Sequence, residues 1–237
     1  MKIISLQNEL NRNIFNKKNV MKEPVRKILL NISSFVIEDA GIKEDMIKDI
    51  ILTGSNAGYN YDKFSDIDLH ILYDSSLFDD EEKKELFKKY LNEKRRILNL
   101  KYNFKIKDHR VEVYFQDINE KHYSQGIYSI IKNKWIKYPE KINVDFNKKE
   151  FVKKTKIILN DINQILKKFP YSYDQWQSMI ERILDMRRSS LSSEGNIFST
   201  ENLIFKFLRR TEILKTIIDY LNLIKSKEYT IERRLHA

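Results

Sequence analysis

The chain has 237 residues, a formal net charge of +10, a pI near 9.4 and no cysteine. That length buries a core and allows one large domain or two small ones, while the missing cysteines exclude disulfides and thiolate metal sites. The positive balance favours polyanionic partners, although a chain rich in Lys, Asn and Ile also carries lysines that simply solvate its surface. No apolar run approaches membrane-spanning length, and Met1 to Glu9 turns polar too early for a signal peptide, so a cytoplasmic protein with no membrane partner is expected.

Glu23 to Ile37 opens with Pro24 in its first turn and repeats apolar residues every three or four positions, which predicts a helix ending near Gly41. Ile50-Ile51-Leu52-Thr53 is short, apolar and β-branched, a buried strand that delivers Gly54 and Ser55 to a turn. Gly54 has no Cβ to hold an anion away, Ser55 adds a hydroxyl, and a helix starting here would aim unpaired N–H groups at the same phosphate. Ser65 to Tyr73 alternates strictly, with Ile67, Leu69 and Ile71 on one face of a strand and Asp66 and Asp68 on the other. The two carboxylates would stand roughly 6 to 7 Å apart along that strand. Such a pair repels unless a cation joins it, and Mg²⁺ suits hard oxygen donors. His70 falls on the carboxylate face, where a packed or hydrogen-bonded histidine is the ordinary outcome.

Asp79 to Leu98 opens with acids and closes with Lys94, Arg95 and Arg96, matching a helix dipole at both ends. Tyr102 to Ile106 and Arg110 to Phe115 predict paired strands, and Glu112 is the only acid of His109 to Phe115, flanked by Val111 and Val113. Tyr128 to Tyr138 suggests a hairpin turning at Lys132-Asn133. Beyond Asp145, the segments Asn147 to Phe169, Tyr173 to Leu191 and Thr200 to Ser226 carry helical apolar spacing, with breaks at Pro170 and Gly195. The expected fold is α+β: a small mixed sheet with helices on one face over residues 1–145, followed by an all-helical module over 146–237. Tyr59, Tyr61 and Trp135 could stack on a base, although aromatics beside a strand are more often core. His109 and His122 have no ligand spacing and are assigned no role.

Gly54-Ser55, ten intervening residues and then Asp66-Ile67-Asp68 on a strand resembles the active-site signature of the DNA polymerase β-like nucleotidyltransferase superfamily. Leu10 to Phe15 with Glu23 to Arg26, Gly126 to Ser129 followed by Lys134 to Ile136, and Glu201 to Arg210 are similar to segments of small nucleotidyltransferases from tailed bacteriophages and some bacteria. The superfamily places a third carboxylate on a later strand, so the resemblance makes Asp66, Asp68 and Glu112 the catalytic, metal-binding set, with Asp108 and Asp117 as substitutes for Glu112 if the strand register is shifted. It implies two Mg²⁺ or Mn²⁺ ions and an NTP substrate, with Gly54, Ser55 and Asn56 near its phosphates.

Many members carry Arg or Lys just before the second glycine of the loop, where this chain has Ala57 before Gly58. Triphosphate charge would then be met from elsewhere. The candidates are Lys63 and the helical-spaced Lys206, Arg209 and Arg210, which would otherwise form a solvated face with Glu212 and Asp219. The implied activity is transfer of an NMP from an NTP to an acceptor hydroxyl with release of pyrophosphate, the leading acceptor being RNA or tRNA. Protein and small-molecule acceptors remain open, as does a non-catalytic RNA- or partner-binding protein, although a binder of polyanions gains nothing from three clustered carboxylates.

Overall fold

A computed structural model describes residues 6–122, 124–141, 147–168, 173–192 and 198–228. The chain divides into two compact units, Ser5–Ile142 and one built on Asn143–Ala237.

The first unit opens with an irregular strap that leads into helix α1, Glu23–Asp39, with proline in its first turn. Val25, Leu29, Ile32 and Val36 recur at helical spacing and are buried. The helix ends in a Schellman motif: Gly41, at φ +62°, donates its N–H to Glu38 O, and Ile42 N donates to Ile37 O at 3.1 Å. Ile42 and Ile37 pack in the same apolar cluster, the contact that usually accompanies this cap.

Strands β1 (Ile47–Thr53), β2 (Ile67–Tyr73), β3 (Lys105–Ile106), β4 (His109–Asp117), β5 (Ile127–Ser129) and β6 (Lys134–Lys137) form one sheet in the order β3-β4-β2-β1-β5-β6. The β2–β4 pair is parallel and its neighbours are antiparallel. The crossover between β2 and β4 is helix α2, Glu81–Lys101, whose N-cap Asp80 accepts from Glu82 N. The strand expected over Tyr102 to Ile106 shrinks to two residues, which leaves most of β4 without a strand along that edge. Asn99 of α2 takes the place of a neighbour: its amide donates to Val113 O at 2.9 Å and accepts from Val113 N at 3.0 Å.

Ile67, Leu69 and Ile71 of β2 and Val111 and Val113 of β4 share one core with Leu29 and Val36 of α1 and Leu98 of α2. The helices therefore cover one face of the sheet, and the other carries the side chains of Asp68, His70, Glu112 and Tyr114 together with a small buried apolar cluster of Ile51, Leu72 and Ile127.

The second unit contains α3 (Lys148–Lys167), α4 (Tyr173–Ser192), α5 (Thr200–Arg210) and α6 (Ile213–Glu228) around a core that includes Ile158, Trp176, Ile183, Ile204 and Leu208. Apolar spacing alone ran Thr200 to Ser226 together. The break falls at Thr211–Glu212, where Glu212 turns to φ +60° and Thr211 Oγ1 donates to the Phe207 and Leu208 carbonyls. The fold is thus α+β, a six-stranded mixed sheet with helices followed by C-terminal helices. Among the described residues no helix is long and apolar enough to cross a membrane.

Candidate active site

β1 ends by carrying Gly54 alongside β2, where Thr53 pairs with Asp68. Gly54 adopts φ +71° and ψ −158°, a conformation that is nearly glycine's alone. A Cβ placed on it would lie 1.7 Å from Asp68 Oδ2. The missing side chain is what lets the Asp68 carboxylate rest directly on the turn. Gly54 N donates to Ser124 Oγ at 3.0 Å, and that hydroxyl donates to Gly126 O at 2.7 Å, which anchors the turn to the segment before β5. The helix considered at Ser55 does not form: Ser55–Ala57 is a single three-residue 3-10 turn.

Asp68 and Glu112 occupy opposed positions in the parallel β2–β4 ladder, on strands about 4.8 Å apart. The next pair on that face, His70 and Tyr114, stacks with ring centroids 4.7 Å apart and planes 20° from parallel. Both carboxylates therefore leave the sheet on the side opposite the helix-covered core. Tyr114 Oη donates to Glu112 Oε2 at 2.8 Å. Burial, and then the Asp68 and Glu112 charges, push the phenol far above its ordinary pKa, so it remains a protonated donor. Asp66 is half-buried and precedes the ladder, which starts at Ile67 rather than Ser65.

Among the described residues no three Asp, Glu or His side chains converge tightly enough to hold an ion as they stand. The donors are nonetheless hard oxygens of the kind Mg²⁺ and Mn²⁺ take. Asp68 and Glu112 come from directly opposed ladder positions, so side-chain rotation, without backbone movement, would bring their oxygens together.

Asn56, expected near the nucleotide, turns its side chain inward and is fully buried. Its Nδ2 donates to Asp66 O at 2.8 Å and Ser65 O at 3.2 Å, and its Oδ1 accepts from Asn11 Nδ2 at 2.7 Å. Asn11 Nδ2 also lies 3.2 Å from His109 Nε2, and His109 Nδ1 lies 2.7 Å from Ser65 O. Because a carbonyl can only accept, His109 carries its proton on Nδ1 and accepts from Asn11 on Nε2. The network fixes the backbone on which Asp66 stands. Asn56→Ala is expected to destabilise the protein by about 2 to 4 kcal/mol, since it leaves the Ser65 and Asp66 carbonyls and Asn11 short of buried partners. Urea denaturation measures this, and a loss below about 0.5 kcal/mol would show that the network is dispensable.

His70 donates from Nδ1 to Gln116 Oε1 at 2.7 Å. Burial pulls its pKa down to about 4, with smaller contributions in the same direction from His122 and Arg95, so the ring is neutral near pH 7. This is the packed, hydrogen-bonded histidine that its position suggested. Lys63 is exposed in the loop before β2, with its ammonium 4.9 Å from the Phe64 ring centroid. Lys206, Arg209 and Arg210 belong to α5 of the second unit, where Arg209 is exposed and the other two are half-exposed.

Sequence reasoning passed over Tyr114, Gln116, Asn11 and His109. Strand alternation from Glu112 would have found Tyr114, because residues two apart share a face. Asn11 and His109 carry no such signal, since they meet across 98 positions of chain.

The family profile of the nucleotidyltransferase domain matches residues 35–195. The chain belongs to this family, of the polymerase β type, and is a nucleotidyltransferase: an enzyme that transfers a nucleoside monophosphate. Enzymes of this family generally use divalent metal ions. Among solved structures, the STING-associated CdnE c-di-GMP synthase from Capnocytophaga granulosa matches with 14% identity over 88% of this chain and 83% of that one. Its TM-score is 0.24, at which no correspondence of folds follows. No curated protein matches the sequence.

Proposed function

We propose that this enzyme moves an NMP from an NTP to a hydroxyl at an RNA end, with Asp66, Asp68 and Glu112 as its catalytic carboxylates. The observation that carries the reading is the opposed placement of Asp68 and Glu112 on parallel strands, with the Asp68 carboxylate against the α-carbon of Gly54. Two Mg²⁺ or Mn²⁺ ions held by Asp66, Asp68 and Glu112 would supply charge neutralisation at the phosphates and a lowered pKa at the acceptor hydroxyl.

The chain's own part is binding, orientation and proton handling. The acceptor oxygen forms a bond to the α-phosphorus as the bond from that phosphorus to the β-bridging oxygen breaks, and pyrophosphate leaves. The acceptor's proton would be lost either to Glu112 as general base, its carboxylate held in place by Tyr114, or directly from a hydroxyl with that lowered pKa. Ser55 offers a hydroxyl to the departing pyrophosphate, while the bare backbone of Gly54 seats the Asp68 carboxylate beside it. Lys63, on the loop leading to Asp66, is the nearest cation in sequence to meet phosphate charge in place of the one missing at Ala57. An RNA acceptor fits the net charge of +10, because each lysine or arginine that meets a phosphate releases a counterion.

The test is incubation of the pure enzyme with each NTP labelled at its α-phosphate, Mg²⁺ or Mn²⁺, and total cellular RNA. The doubly substituted Asp66→Ala/Asp68→Ala protein is run alongside. Label in a discrete RNA band, lost in the variant, is the expected result. Metal-dependent NTP binding without RNA label would reject the RNA acceptor and direct the search to a protein or small-molecule hydroxyl.

A further inference from the structure

One edge of the first unit gathers phenols and cations that no step of the reaction uses. The strap at residues 16–20 packs against β6: Trp135 Nε1 donates to Asn19 O at 2.8 Å, and Asn19 Nδ2 donates to Tyr138 Oη at 2.6 Å. Phe15 stacks on Trp135 at 5.0 Å beneath them, so the surface is supported by the core. Tyr138 lies 5.2 Å from Trp135 and remains 47% exposed, which leaves it open for stacking. The Tyr59 phenol is close enough to that of Tyr138 for the two to influence each other electrostatically, and the ammonium of Lys141 lies 5.6 Å from the Tyr59 ring centroid. The strap also holds the far end of this cluster, since Gln7 N donates to Tyr59 O at 2.7 Å and Gln7 Nε2 to Tyr61 O at 3.2 Å.

Close in chain to these rings are Arg12, Lys17, Lys18, Lys134, Lys137 and Lys141, of which only Arg12 is less than exposed. Asn16 Oδ1 accepts from Lys18 N and Val20 N, a turn that turns the two strap lysines outward. The acids nearby in sequence are Glu9, tied to Arg12 at 2.8 Å, Glu23, Asp62 and Glu140. Lysines on an edge strand also serve to block strand pairing. Here the positive charge continues off the strand, onto the strap, and reaches an aromatic ring where Lys141 meets Tyr59. It ends at Tyr59, one residue after Gly58, in the loop that joins Gly54 to Asp66.

Cations that track a backbone and rings on which bases stack are the two elements of single-strand nucleic-acid binding. Resting on the reading of RNA as acceptor, we propose that this edge, from Lys17 and Lys18 across Tyr138 to Tyr59 and Lys141, is the surface along which single-stranded RNA reaches the catalytic carboxylates. The RNA is held here, on the sheet-bearing unit, and not by the basic face of α5.

The experiment follows fluorescence anisotropy of a short labelled single-stranded oligoribonucleotide, without NTP so that no transfer occurs, over a range of salt. It compares the wild type, Lys17→Gln/Lys18→Gln/Lys134→Gln/Lys141→Gln, Tyr138→Ala, Tyr138→Phe and Lys206→Gln/Arg209→Gln/Arg210→Gln. All the altered side chains are at least partly exposed, and thermal melting checks each fold. The four-lysine variant is expected to bind at least about tenfold more weakly and to lose roughly 2 to 3 from the slope of log K against log salt, near 0.7 for each phosphate contact removed. Tyr138→Ala is expected to lose about tenfold in affinity, with Tyr138→Phe near wild type because the ring is retained. Metal-dependent NTP binding should not change in any edge variant. Wild-type RNA binding that survives in the edge variants and fails in the α5 variant would overturn the inference while keeping RNA as acceptor. A wild type that binds NTP but no RNA would overturn both.

Discussion

Asp68→Ala is expected to lower NMP transfer by about 10³-fold or more while leaving the protein folded. A carboxylate that helps bind a divalent cation at the reacting phosphates contributes several kcal/mol to the transition state, and each 1.36 kcal/mol is a factor of ten in rate. Asp68 is half-exposed at the open face of β2, flanked on the core side by Ile67 and Leu69, so its truncation removes none of the packing that holds the sheet. The stability change should therefore fall within about 1 kcal/mol. Circular dichroism, thermal melting and initial rates with saturating NTP and Mg²⁺ separate the two effects. Asp68→Asn is the companion variant: it keeps the shape and removes the charge, and the same loss is expected. Turnover within a few-fold of wild type in either variant would remove Asp68 from the catalytic set.

Gly54→Ala should be damaging in both respects. The backbone at φ +71° and ψ −158° costs a residue with a Cβ about 1 to 3 kcal/mol. The new methyl would also occupy the place of Asp68 Oδ2, 1.7 Å away, and the carboxylate must swing out of position. A displacement near 1 Å at a reacting site costs about 10²-fold in rate, so kcat is expected to fall by at least that factor alongside a lower Tm. Loss of stability with an unchanged kcat would mean that Asp68 has no catalytic use for the place it occupies against the turn.

Much of this architecture was legible because the signals are local. Pro24 and the apolar spacing after it define α1, and strict alternation from Ile67 to Ile71 defines β2 and the face its carboxylates take. The reading failed where local rules meet competing partners. Apolar periodicity carried Thr200 to Ser226 through as one helix because it is blind to a single residue that leaves helical backbone angles, as Glu212 does at φ +60°. The strand at Tyr102 stopped short because Asn99, a side chain on the preceding helix, supplied β4 with the bonds a longer strand would have made. Asn56 looked like a nucleotide contact by its place beside Gly54-Ser55, yet the buried carbonyls of Ser65 and Asp66 claimed its amide.

The sequence by itself determined the elements, the alternating faces and the identity of the acids, because each depends on residues within a few positions of one another. Tertiary structure alone decided that Asp68 lies opposite Glu112 in a parallel ladder, since that register spans 44 positions and is set by the α2 crossover and by burial of Ile67, Leu69, Val111 and Val113. It alone brought Asn11 and His109 together beneath Asp66, where desolvation obliges every buried polar atom to find a partner wherever in the chain one is available.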